Sequence, residues 1–155
     1  MGVFRLYREQ VIPAGMKETW DFISSPKNLS KITPEYMRFE VTSEKLSEKM
    51  YPGMIITYRV SPLPLLRMTW VTEITHVQEN KMFVDEQRLG PYSMWHHQHR
   101  IREVHGGVMM EDEVHYIPPM GFLGDMANAL FIEKQLKTIF DFREQKVTEI
   151  FGKVR

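Results

Sequence analysis

Between Ile55 and Ile117 the chain alternates apolar and polar residues in five stretches, each separated from the next by a short break. The stretches are Ile55–Val60, Arg67–Val77, Met82–Arg88, Ser93–Val104 and Val108–Ile117. A period of two is the mark of strands with one buried face. The breaks are the proline-broken apolar loop Ser61–Leu66, the hairpin loop Gln78–Lys81, the turn Gly90-Pro91 and the tight hairpin His105-Gly106-Gly107. Paired glycines supply the positive φ that a tight hairpin needs. Connections this short leave only an antiparallel order. A sheet of this kind must cover its apolar face with something else.

The rest of the chain supplies the cover. Val3–Ile12 reads as a strand stopped by Pro13-Ala14-Gly15. Met16–Ser24 reads as a short helix with Met16, Trp20 and Ile23 on one stripe, and a second short helix follows with Ser25 as cap and Pro26 at its first position. Met37–Ser43 reads as a further strand, and the charged run Glu44–Lys49 as a solvated loop. After Pro118-Pro119 the period becomes helical: Ile132, Leu136, Ile139, Phe140, Val147, Ile150 and Phe151 form a stripe about 30 Å long. Leu123, Ala127 and Leu130 fall on another face, so the first turns bury a different side or the helix kinks near Phe131. The expected architecture is α+β, with a curved seven-stranded antiparallel sheet wrapped around a long C-terminal helix and two short helices after the first strand. A curved sheet gripping one helix leaves a cavity between them.

Composition narrows the function. The 20 basic and 20 acidic residues cancel, which argues against a nucleic-acid partner. Cysteine is absent, so disulfides and thiolate chemistry are excluded. No stretch looks like a signal peptide or is apolar enough to span a bilayer, so a cytoplasmic location without stable membrane insertion is expected. No glycine-rich phosphate loop or nucleophile elbow appears. Twelve methionines suit ordinary core filling, or an adaptable apolar surface.

The segments Asn28-Leu29, Ile32-Thr33-Pro34, Tyr51-Pro52-Gly53-Met54-Ile55, Asp85-Glu86-Gln87-Arg88, Gly90-Pro91-Tyr92 and Phe140-Asp141-Phe142-Arg143, with Trp70, Trp95, His97, His99, Asp112 and Tyr116, carry a resemblance. The chain resembles the SRPBCC superfamily of START lipid-transfer domains, polyketide cyclases and birch-pollen-allergen-like proteins. It is most similar to a bacterial ligand-binding branch. The resemblance spans nearly the whole chain and implies one helix-grip domain over residues 1–155. It says little about chemistry, because such folds host many functions.

The most informative stretch is Trp95-His96-His97-Gln98-His99-Arg100-Ile101. On a strand Trp95, His97, His99 and Ile101 share one face, and its apolar ends mark that face as inward. By the same alternation Tyr58, Trp70, Asp112 and Tyr116 point inward. The resemblance places Asp85 and Gln87 there too, although a register with Met82, Val84 and Glu86 inward is the alternative. Arg143 lies near the inward stripe of the helix and within reach of this group.

Three readings follow. A satisfied polar network would fix strand register. A binding cavity would use Tyr58, Trp70, Asp85, Gln87, Trp95, His97, His99, Asp112, Tyr116 and Arg143 to hold a small hydrophobic or amphipathic molecule, aromatic or polyketide-like. A catalytic site would use His97, His99, Asp85 or Asp112 as acid and base for cyclisation or dehydration. Two histidines and a carboxylate also make a conceivable metal set. Alternate histidines on a strand carry no ligand spacing of their own, so no metal or other cofactor is expected. Binding is the favoured reading and cyclase-like chemistry the alternative. The oligomeric state is not legible.

Overall fold

A computed structural model describes residues 2–63 and 65–154. Seven strands form one antiparallel sheet: β1 (Phe4–Ile12), β2 (Glu40–Val41), β3 (Met54–Leu63), β4 (Leu66–Gln78), β5 (Met82–Leu89), β6 (Met94–Val104) and β7 (Gly107–Ile117). Their order is β1-β7-β6-β5-β4-β3-β2, so every neighbour from β2 to β7 is a sequence neighbour and only β1 crosses to the far edge. The short helix α1 (Met16–Ile23) and two 3₁₀ turns, Pro26–Ile32 and Glu35–Met37, make that crossing. α2 (Phe122–Ala127) and α3 (Glu133–Phe151) follow the sheet, joined by a π-helical turn at Asn128–Ile132. Among the described residues no helix is long and apolar enough to cross a membrane.

The expected irregularity near Phe131 is this wide turn. Asn128 is buried there, and its side-chain oxygen accepts a 2.8 Å hydrogen bond from the Tyr116 hydroxyl. Gly124 lets α2 close on the preceding loop, because a Cβ at that position would stand 1.9 Å from the Pro119 carbonyl oxygen. The inward stripe of α3 is Leu136, Phe140 and Val147, with Arg143 between the last two. Ile150, expected in that stripe, is 46% exposed in the last turn of the helix.

Two elements differ from expectation. The strand read at Met37–Ser43 is paired only at Glu40–Val41. Met37 closes a 3₁₀ turn and Arg38 adopts a left-handed φ of 45°, which uses up the start of the strand. At its end the Ser43 hydroxyl, rather than a main-chain carbonyl, accepts the hydrogen bond from the Thr57 N–H. The apolar loop read at Ser61–Leu66 is mostly strand, since β3 runs to Leu63 and β4 starts at Leu66. Pro64 lies outside the described residues.

Two apolar clusters pack between sheet and helices. One gathers Trp20, Ile23, Met54, Ile56, Ile74, Phe83 and Val147. The other gathers Leu6, Trp95, Val114, Tyr116, Leu136 and Phe140. Trp20 is 2% exposed and meets the Phe83 ring edge-on at 6.1 Å. Trp20→Ala is expected to cost about 3–5 kcal/mol of stability in urea denaturation, the usual loss for a large buried aromatic. A loss below about 1 kcal/mol would mean that α1 is not a structural part of this core.

Candidate functional site

Strand register assembles the polar group. Asp85 on β5 stands opposite His97 on β6, and Asp112 on β7 stands opposite His99. Residues directly opposite in an antiparallel pair share a face of the sheet, as do His97 and His99 two residues apart. Three adjacent strands therefore bring two imidazoles and two carboxylates onto one patch. His99 stacks on Phe83 at 4.0 Å between ring centres, and His97 meets Phe140 at 5.6 Å. The polar group thus lies between the two apolar clusters.

The imidazoles are sandwiched by the carboxylates. His97 Nε2 lies 2.9 Å from Asp112 Oδ1, and His97 Nδ1 lies 3.5 Å from Asp85 Oδ2. His99 Nε2 lies 2.6 Å from Asp85 Oδ2, and His99 Nδ1 lies 3.0 Å from Asp112 Oδ1. Arg143 reaches in from α3, with Nη2 3.2 Å from Asp112 Oδ1. His97, His99 and Asp112 are buried.

Charges in such a place must balance. Burial works against the Asp112 carboxylate, but Arg143 and the hydrogen bonds from His97 and His99 outweigh it, holding the group well below the usual carboxylate range. Burial likewise opposes ionisation of Asp85, and His97 and His99 outweigh it, so its pKa is also lowered. Burial would depress His99, yet its bonds to Asp112 and Asp85 win and raise it. Burial and the neighbouring His99 charge push His97 down to about 4. Two carboxylates beside Arg143 balance in charge with one protonated imidazole, and His99, whose two ring nitrogens each face a carboxylate oxygen within 3.0 Å, is the ring placed to carry that proton. An ionised carboxylate can only accept, so both His99 nitrogens donate, and His97 donates from Nε2 to Asp112. His97 Nδ1 is left as a lone pair beside Asp85.

This group forms one end of a pocket of about 700 Å³ between the sheet, α2 and α3. Tyr58, Trp70, Asp85, Trp95, His97, His99 and Arg143 all line it. The other expected site residues stand behind the wall. Asp112 supports both histidines from the far side. The Tyr116 hydroxyl is spent on Asn128. Gln87 braces the β5–β6 turn instead, donating to the Tyr92 carbonyl at 2.7 Å and accepting from the Tyr92 N–H at 3.2 Å.

Several lining residues escape the alternation argument because they lie on turns, helices and the hairpin end of β3 and β4. Tyr92 packs on Trp95 at 4.9 Å and on Trp70 at 5.8 Å, completing an aromatic wall. Leu63 and Leu66 from the β3–β4 hairpin, and Met120, Leu123 and Phe131 from the α2 region, line the mouth and remain partly exposed. Of the residues read onto a second helix face, Leu123 and Ala127 line the pocket, while Leu130 is exposed. The side chain of Gln135 on α3 donates to the Pro62 carbonyl, tying the hairpin to the helix. The sequence signal for this rim was its run of apolar residues around prolines and glycines.

The fold has solved counterparts. Protein CV1439 from Chromobacterium violaceum superposes with a TM-score of 0.71 at 11% identity, covering 98% of this chain and 99% of that one. A major latex-like protein from Panax ginseng gives 0.69 at 10% identity over 96% and 97%. Protein Ms6760 from Mycobacterium smegmatis gives 0.65 at 15% identity over 97% and 98%. The fold is the helix-grip fold that these structures share. No protein-family model matches the sequence, and no curated protein matches it. Identities this low make the likeness one of fold, and the polar group must be read on its own chemistry.

That chemistry sets a pH dependence. His97 holds its proton less readily in the folded chain than in the unfolded one. Between about pH 6.5 and 4 the unfolded state therefore binds more protons, and stability falls as pH falls. The folded and unfolded values of His97 differ by on the order of 3 kcal/mol in free energy. Asp85 and Asp112 extend the loss to lower pH. His99 acts at the other end: its contribution is complete below about pH 6.5 and fades as pH rises through its raised value. Urea midpoints measured from pH 7 to pH 4.5 are expected to fall, with the slope reduced in His97→Gln. A flat profile would contradict a neutral, buried His97.

Proposed function

We propose that the pocket binds a small amphipathic molecule, its apolar body against the aromatic wall and its polar end at Asp85 and His97. The observation that carries this reading is the make-up of the pocket. A volume of about 700 Å³ lies in the range of drug-sized ligand sites. Its walls are aromatic and aliphatic, and its polar groups are gathered at one end. The apolar rim suits entry of a molecule that leaves water reluctantly. The fold shared with the ginseng major latex-like protein is compatible with such a role.

The polar end favours a particular partner. Asp85 and the His97 Nδ1 lone pair are acceptors, so they suit a hydroxyl or phenol that donates. A carboxylate would meet Asp85 as a like charge. The cyclase-like alternative asks more of the histidines. A general base works best with a pKa near the operating pH. His97 held near 4 is a weak base, and His99 has both protons engaged. Binding fits these states better than proton transfer.

The test compares 2-naphthol with 2-naphthoate by quenching of tryptophan fluorescence and by calorimetry. Saturable one-to-one binding of 2-naphthol is expected, with weaker binding of 2-naphthoate. Trp70→Ala should weaken naphthol binding about tenfold, or ~1.4 kcal/mol. Asp85→Asn should narrow the gap between the two probes. Absence of saturable binding by either probe would overturn the reading.

A further inference from the structure

The three polar residues that face the pocket are arranged as metal ligands are. His97, His99 and Asp85 each offer one donor atom, and these atoms all lie within 4.8 Å of one another. His99 Nε2 is 2.6 Å and His97 Nδ1 is 3.5 Å from Asp85 Oδ2. Ligand atoms around an ion with bonds of about 2.0–2.2 Å stand roughly 3–3.4 Å apart, between these two distances. The third separation, between the two imidazole nitrogens, is within 4.8 Å and closes toward the same spacing as the ion binds.

The surroundings add an independent observation. The nitrogens turned away from this point, His97 Nε2 and His99 Nδ1, lie 2.9 and 3.0 Å from one oxygen, Asp112 Oδ1. Arg143 steadies that carboxylate at 3.2 Å. Histidine ligands commonly give their second N–H to a carboxylate, which fixes the ring and makes the coordinating nitrogen more basic. Here one buried carboxylate does this for both rings.

We propose that His97 Nδ1, His99 Nε2 and Asp85 form a binding site for a divalent transition-metal ion, with Asp112 and Arg143 as its supporting shell. The ion takes the place of the proton between His99 Nε2 and Asp85, which is released to solvent. Two imidazoles and one carboxylate suit iron(II), cobalt(II), manganese(II) or zinc(II), and the absence of cysteine removes a thiolate competitor. All three ligands line the pocket, so the remaining coordination positions open toward whatever the pocket holds.

The test is a cobalt(II) titration of the untagged chain at pH 7, followed by visible absorption and by metal analysis after gel filtration. One equivalent with visible bands is expected. His97→Gln and Asp85→Asn should each weaken uptake at least tenfold, and Asp112→Asn by about 10–100-fold through the supporting shell. His96→Ala should leave uptake unchanged, because His96 pairs with Glu86 on the opposite face of β6. Far-UV circular dichroism and a cooperative thermal transition in each variant separate loss of the site from loss of the fold. Absence of stoichiometric cobalt from the wild-type chain overturns the metal site, even where naphthol binding upholds the pocket. Uptake that survives His97→Gln and Asp85→Asn but is lost in His96→Ala overturns it too.

Discussion

Two imidazoles held between two carboxylates are the constraint on which the centre of this protein depends. None of the four groups is at ease in an apolar interior alone. Together with Arg143 they reach neutrality when one histidine is protonated. Breaking such a set leaves an uncompensated buried charge, at a typical cost of about 3–5 kcal/mol. Strand register and the place of Arg143 on α3 bring the set together. Asp85 and Asp112 reach the patch only if β5, β6 and β7 pair as they do. Slipping one strand by a single residue would turn its polar partner to the other face.

The helix completes the balance. α3 places Leu136, Phe140 and Val147 on the sheet and carries Arg143 in the same stripe. Its guanidinium therefore arrives where the carboxylates need a cation. A cation in an apolar stripe looks like a local conflict, and the conflict is resolved only across the interior. The pocket lies on the open side of this arrangement, where the polar patch ends and the aromatic wall of Trp70, Tyr92 and Trp95 begins.

Much of this was legible in the sequence, for physical reasons that can be named. Period-two alternation and the short turns forced the antiparallel order, and the inward face of Trp95, His97 and His99 followed from the same period. The reach of Arg143 followed from its place three residues after Phe140. What stayed hidden depended on non-local geometry. β2 is short because Arg38 turns left-handed, which no apolar pattern signals. Gln87 shares the face of Asp85 by alternation, yet the turn at Gly90-Pro91-Tyr92 claims its amide. Tyr116 is inward but finds Asn128 on a π-helical turn that the periodicity marks only as a break. The choice between network, pocket and metal set rests on which ring nitrogen faces which carboxylate, and spacing along a strand carries no such information.

The most direct test is the protonation of the two rings, read by nitrogen-15 and proton NMR of the histidine-labelled chain at pH 7. His99 is expected as an imidazolium with both nitrogens protonated, and His97 as the neutral ring with its proton on Nε2 and a bare Nδ1. A protonated His97 Nδ1, or a neutral His99, would contradict the charge balance from which the pocket and its polar end are argued.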